Sequence, residues 1–180
     1  HHPRFVQDVG ASAVDVALAT SAAPTYFSAA KFPLHNASYV DGGVWANCPA
    51  LVAVTEAIHF LNIDRTQIDL LNVGTTTEPF NTLSKVGSGV LGWNKGLISL
   101  FMNAQAEASR AMAKLLVEQN FHQINYTAPA GTVSLDDASR VADLAGLGRA
   151  EAVKRDNLEA VQRRCLNGRH AAPYVAAARA

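Results

Sequence analysis

Apolar residues recur along the chain in two rhythms. Leu51, Val54, Ile58 and Leu61 stand three and four apart, which is one face of a helix opening near Ala50. Leu97, Phe101, Ala104, Ala108, Met112 and Leu115 repeat that spacing and predict the longest helix over 97–119, with Glu107, Arg110, Lys114 and Glu118 largely off the stripe. Met112 fits the role of core filler. Short apolar or alternating runs at 37–41, 68–74 and 121–126 predict strands, the second apolar enough to be buried on both faces. The small residues of Asp15 to Ala23 predict a short buried helix over 12–23, stopped by Pro24 because the residue before proline leaves the α region. Tyr26, Phe27 and Phe32 then cover a core from a connecting segment. Residues 78–96, with Pro79 and four glycines, make a long loop. Ala138–Leu144 and residues 149–166 predict two further helices, with Gly168 as a stop. Strand and helix alternate, so the expected architecture is α/β, a mostly parallel sheet flanked by helices.

Composition narrows the classes without naming a function. The 180 residues suit one domain, and 49% apolar with 17% charged residues is globular. Fifteen basic and fifteen acidic residues cancel, so nothing global points to nucleic acid. No run approaches the roughly 20 apolar residues of a membrane-spanning helix. Cys48 and Cys165 lie far apart and match no metal or redox spacing, which suits a reduced compartment. His1-His2-Pro3-Arg4 does not read as a secretory signal, and the chain is expected to begin within a longer protein.

The candidate chemistry sits in Tyr39-Val40-Asp41-Gly42-Gly43-Val44-Trp45-Ala46-Asn47. An acid at the C-terminal end of a strand lies where α/β folds bind ligands. The glycines permit a positive φ or a close approach of backbone. Asn47 or Cys48 suits a helix cap, with Pro49 in the first turn. The alternative is an ordinary turn in which Asp41 bonds nearby N–H groups. A serine nucleophile of an α/β fold stands in G-x-S-x-G, and that pattern is absent: Ser12 and Ser88 have the wrong neighbours. Phosphate-binding glycine loops and His or Cys clusters at metal spacing are absent too.

Two blocks, Asp15-Val16-Ala17-Leu18-Ala19-Thr20-Ser21-Ala22-Ala23-Pro24-Thr25-Tyr26-Phe27 and Val40-Asp41-Gly42-Gly43-Val44-Trp45-Ala46-Asn47-Cys48-Pro49, resemble the patatin-like phospholipases. Leu71-Asn72-Val73-Gly74-Thr75 and Leu135-Asp136-Asp137-Ala138 extend the resemblance over roughly residues 12–145. It implies a lipid acyl hydrolase with a Ser-Asp dyad, no metal and no cofactor. Only Asp41 maps onto a catalytic position. The serine and the oxyanion-hole glycines have no counterpart here, so residues 1–180 are expected to be the C-terminal portion of a single patatin-like domain whose N-terminal part is missing. Alone, such a chain is expected to be inactive.

The implied partners are a phospholipid or other acyl ester, a membrane surface met transiently, and the missing N-terminal segment, with no nucleic acid; a cytoplasmic, membrane-peripheral location goes with them. A bacterial effector switched on by a nucleotide signal is a refinement of this reading. The competing class is a non-catalytic lipid-binding or interaction module on the same scaffold. Ser21 fits helix packing, His35, His59, His122 and His170 are scattered, and Cys48 fits a buried thiol. Trp45 suits an acyl pocket or a core rim, and Val90, Leu91 and Trp93 suit a lipid interface or a packed loop. The sequence leaves the lipid, the acyl position and the oligomeric state open.

Overall fold

The computed structural model describes residues 9–79, 96–132, 137–166 and 168. The expectations for the 80–95 part of the loop, for Leu135-Asp136, for His170 and for the chain start lie outside those residues. Two compact units form, one from residues up to Leu70 with Pro79–Phe121, the other from residues 71–78 with those from His122 onward.

The first unit opens with helix α1, Ala13–Thr20. Ser12 caps it: its Oγ accepts the Asp15 N–H at 3.0 Å and donates to Asp15 Oδ2 at 2.7 Å. The helix was expected to be buried, yet none of its side chains is, and Val14, Val16 and Leu18 stand exposed. Among the described residues it packs chiefly on the hairpin of β1, Ala30–Phe32, and β2, Ala37–Tyr39. The hairpin is antiparallel, with Ala30 opposite Tyr39 and Phe32 opposite Ala37. Its turn, Pro33–His35, closes through Asn36 at φ 47°, a left-handed conformation that asparagine tolerates. Phe32 is buried and lies edge-on to Tyr39 at 5.1 Å. Tyr26 and Phe27, expected to cover a core, are exposed.

After the hairpin come α2, Gly43–Ala46, and α3, Ala50–His59, and later α4, Gly96–Val117. Helices α3 and α4 enclose the core of this unit: Cys48, Ala50, Val54, Ala106, Ala113 and Val117. The buried face of α4 is therefore not the predicted one. Ala106, Ser109, Ala113 and Val117 face inward, while Phe101, Met112 and Leu115 are 64%, 51% and 77% exposed. Small side chains let two helix axes approach closely, and the distance between packed helices follows the side chains at the contact. Periodicity of bulky residues therefore marked the wrong face.

Helix α3 begins without a side-chain cap, its N-cap being Pro49. Neither Asn47 nor Cys48 caps it, as the sequence suggested. The buried Ser109 hydroxyl fills that role from α4: it accepts the Leu51 N–H at 3.2 Å and donates to the Cys48 carbonyl at 2.6 Å. Two backbone groups at a helix start are thus satisfied from a neighbouring helix. The far end of α4 is held as well. Arg65 donates to the Leu116 carbonyl at 3.2 Å and to Glu118 Oε1 at 2.9 Å, and Asn120 Nδ2 donates to the Thr66 carbonyl at 3.1 Å. The Glu118 carboxylate holds the Arg65 guanidinium above its ordinary pKa. Hydrogen bonds from the Thr66 hydroxyl and N–H lower that of Asp64.

Strand β3, Leu70–Val73, pairs with β4, Phe121–Ile124, and all but the first residue of each belongs to the second unit. The pairing extends through Gly74 N–H to the Ile124 carbonyl at 2.8 Å and a parallel bridge between Thr77 and Thr127. Strand β3 is half-buried, with Val73 exposed, so it lacks the two covered faces that its apolar sequence predicted. The described residues thus hold two small two-stranded sheets. Gly74 is a close approach, since a Cβ there would fall on Asn125 Oδ1. Helix α5 runs Val141–Ala152, and α6, Arg155–Ala160, continues as a wider turn to Cys165. The break comes at Val153–Lys154. It was expected near residues 145–148, but open space around Gly146 and Gly148 lets the helix run through. Buried Asn157 braces the corner, donating to the Glu151 carbonyl at 2.7 Å and meeting His122 Nε2 at 3.3 Å.

Ser109→Ala takes the hydroxyl away from the Cys48 carbonyl and the Leu51 N–H and is expected to cost about 1–3 kcal/mol in urea denaturation. Ala108→Ser, one position away on the exposed side, should stay within about 0.5 kcal/mol; equal effects would remove Ser109 from its capping role. Gly74→Ala is expected to cost about 1–3 kcal/mol by overpacking against Asn125, and an unchanged midpoint would contradict the close approach.

Candidate functional site

Asp41 lies two residues beyond β2, at the entry of α2, and is half-buried. Its backbone is pinned on both sides. The Asp41 N–H donates to the Ala22 carbonyl at 3.0 Å, tying the end of the hairpin to the exit of α1, and the Asp41 carbonyl accepts the Val44 N–H at 3.1 Å. The carboxylate is oriented by one strong bond, Gly43 N–H to Oδ1 at 2.7 Å. An anionic acceptor at a helix start is favourable because the first N–H groups have no intrahelical partner. The local turn role foreseen for Asp41 therefore exists, and it occupies one oxygen. Oδ2 carries no hydrogen bond from the described residues, which leaves a lone pair for an incoming hydroxyl.

The two glycines act differently from each other. Gly42 has φ −60° and open space around it, so its conformation is one that any residue adopts. Gly43 supplies a close approach. A Cβ there would lie 3.1 Å from Asp41 Oδ1, 3.4 Å from Asn47 Oδ1 and 3.5 Å from the Met102 methyl carbon. Of the three, only Asp41 Oδ1 is closer than ordinary van der Waals contact. Neither glycine uses a positive φ.

Asn47 bends back towards the Asp-Gly-Gly turn, which explains why it does not cap α3. Cys48 is buried, as expected of a structural thiol. Trp45 is 72% exposed, so it packs into no core within this chain. Ser21 donates to the Ala17 carbonyl at 2.7 Å, a helix-end bond. His35 bonds the Tyr39 hydroxyl at 2.7 Å in the hairpin, His59 lies edge-on to Phe60 and His122 meets Asn157, so these three histidines serve structural contacts. A hollow of about 460 Å³ on the hairpin, lined by Lys31, Phe32, Pro33, Asn36, Ala37 and Ser38, does not include Asp41. Among the described residues no group of three or more His, Cys, Asp or Glu could hold a metal ion, and no helix is long and apolar enough to cross a membrane.

Sequence reasoning missed Ser109 and Met102, which α4 brings to this turn. Their signal was a spacing of seven between Met102 and Ser109, continued by Ala113 and Val117. The stripe of bulkier residues one position away concealed it.

Comparison with known proteins joins this geometry to a family. The chain is 35% identical over 172 residues to a cGAMP-activated phospholipase of Vibrio cholerae, covering 83% of this chain and 48% of that protein. A cGAMP-activated phospholipase of Pseudomonas aeruginosa is 30% identical over 169 residues, with 91% of this chain and 48% of that protein covered. Patatin-like protein 2 of Arabidopsis thaliana is 29% identical over 166 residues, with 74% of this chain and 41% of that protein covered. The chain thus spans about half the length of these relatives. No family model matches it, and no solved structure matches it significantly. On these similarities, together with the aspartate at the hairpin end, the chain belongs to the patatin-like phospholipase family.

Proposed function

We propose that the whole protein is a lipid acyl hydrolase and that this chain contributes the aspartate of a Ser-Asp dyad, Asp41. The observation that carries the proposal is the state of the carboxylate, with Oδ1 fixed by Gly43 N–H at 2.7 Å and Oδ2 without a hydrogen bond from the described residues. A serine hydroxyl supplied by another segment of the protein would donate to Oδ2. As Oγ bonds the ester carbonyl carbon, its proton passes to Asp41; the tetrahedral adduct collapses, the alcohol leaves with that proton, and an acyl-serine remains. Water then attacks the acyl carbon, gives its proton to Asp41, and serine departs with it as the free acid forms. A carboxylate is a weak base, so the acyl chain's exclusion of water beside it supplies part of the activation.

In this reading residues 1–180 are the C-terminal portion of one patatin-like domain, and the described strands join a mostly parallel sheet completed by the rest of the protein. Helix α1 supports it. An eight-residue apolar helix is not stable alone, and its exposed Val14, Val16 and Leu18 need a covering layer. The substrates are acyl esters such as phospholipids, met at a membrane surface from the cytoplasmic side. By analogy with the relatives named above, cGAMP is the first activator to try.

Asp41→Asn retains an acceptor for Gly43 N–H and removes the proton acceptor. In the complete protein, assayed with and without cGAMP on phospholipid vesicles, it is expected to lower turnover by about 100–10,000-fold with an unchanged melting temperature. Retained turnover would take Asp41 out of the mechanism.

A further inference from the structure

We propose that Met102 forms the wall of the acyl-chain site beside Asp41 and thereby sets the preferred chain length, an inference that rests on the hydrolase reading above. Met102 stands on the second turn of α4, and its terminal methyl carbon lies 3.5 Å from the point where a Cβ on Gly43 would stand. Asp41 Oδ1 lies 3.1 Å from the same point and Asn47 Oδ1 3.4 Å. The methyl group and the carboxylate therefore both border Gly43.

An acyl hydrolase needs this juxtaposition. The ester carbonyl must sit among polar groups, and the chain attached to it must enter apolar surroundings within a few bonds. Methionine suits such a wall because it is unbranched and polarisable and adapts to flexible chains.

The neighbouring residues give the track a direction. Ile98 and Phe101 lie four and one positions before Met102, on the adjoining face of α4, and both are exposed, at 38% and 64%. In the opposite direction the two residues that follow Met102 three and seven positions on are polar, ahead of the buried Ala113 and Val117. Gln105 comes next, with a buried Oε1 that has no hydrogen-bond partner, and then Ser109, engaged with Cys48 and Leu51. An apolar chain leaving Asp41 past Met102 is thus directed towards the N-terminal end of α4. Along the axis in the other direction it would meet amide and hydroxyl groups. The carboxylate end of the site is common to all esters, whereas the Met102 wall is felt only by chains long enough to reach it.

The test uses the complete protein and p-nitrophenyl esters of butyrate and palmitate. Met102→Ala is expected to lower kcat/KM on the palmitate about tenfold and to leave the butyrate within about twofold. Met102→Leu should keep the wild-type ratio, and Met102→Phe should shift the preference towards butyrate. An equal loss on both esters, or an unchanged ratio in both the Ala and Phe variants, would overturn the assignment and leave the hydrolase reading intact. If Met102→Ala does not fold, the Phe variant decides alone: a shifted ratio supports the wall, and a wild-type ratio overturns it. If the wild-type protein hydrolyses neither ester nor phospholipid vesicles, with or without cGAMP, the hydrolase reading fails and this inference fails with it.

Discussion

The Ser109 hydroxyl, donating to the Cys48 carbonyl and accepting from the Leu51 N–H, is the interaction on which the geometry around Asp41 depends. The chain from Asp41 to Ala50 is a succession of short turns without a side-chain cap at the start of α3. One buried hydroxyl from α4 satisfies two backbone groups there and fixes the start of α3 against the long helix. Such a bond can be worth more than its modest net stability suggests, because one buried hydroxyl serves two backbone groups at once. The same face of α4 then brings Met102 to Gly43. Helix, turn and carboxylate are in this way held by one surface.

That surface also explains what the sequence revealed and what it concealed. Helices α1, α3 and α4, the strand ahead of Asp41 and the strand β3 follow from spacing and breakers, because local periodicity and proline placement are local physics. The packed face of α4 does not. Ala106, Ser109 and Ala113 are chosen for the room they leave, and a search for bulky apolar residues selects Phe101, Met112 and Leu115, which remain exposed. The expected helix cap failed for a related reason: a cap supplied from a helix some sixty residues away leaves no trace at Asn47 or Cys48. The break between α5 and α6 was misplaced because two glycines in open space do not force a helix to stop.

Asp41 was legible in the sequence as a strand-end acid, and the turn role weighed for it is the one its Oδ1 fills. Its Oδ1 makes the turn bond that any aspartate makes before a helix start, and that bond aims the other oxygen. Fixing the carboxylate through a backbone N–H lowers the entropic cost of presenting it to a hydroxyl, a form of preorganisation that catalysis rewards. The exposed side chains of α1 and Trp45 belong to the same picture. They are apolar side chains that the described residues leave uncovered.

The most direct test of the central claim is labelling of the complete protein with a serine-reactive fluorophosphonate, followed by peptide mapping of the added mass. The account predicts a single modified serine outside residues 1–180 and loss of labelling in the Asp41→Asn variant. Label on a serine of this chain, or undiminished labelling without the Asp41 carboxylate, would contradict it.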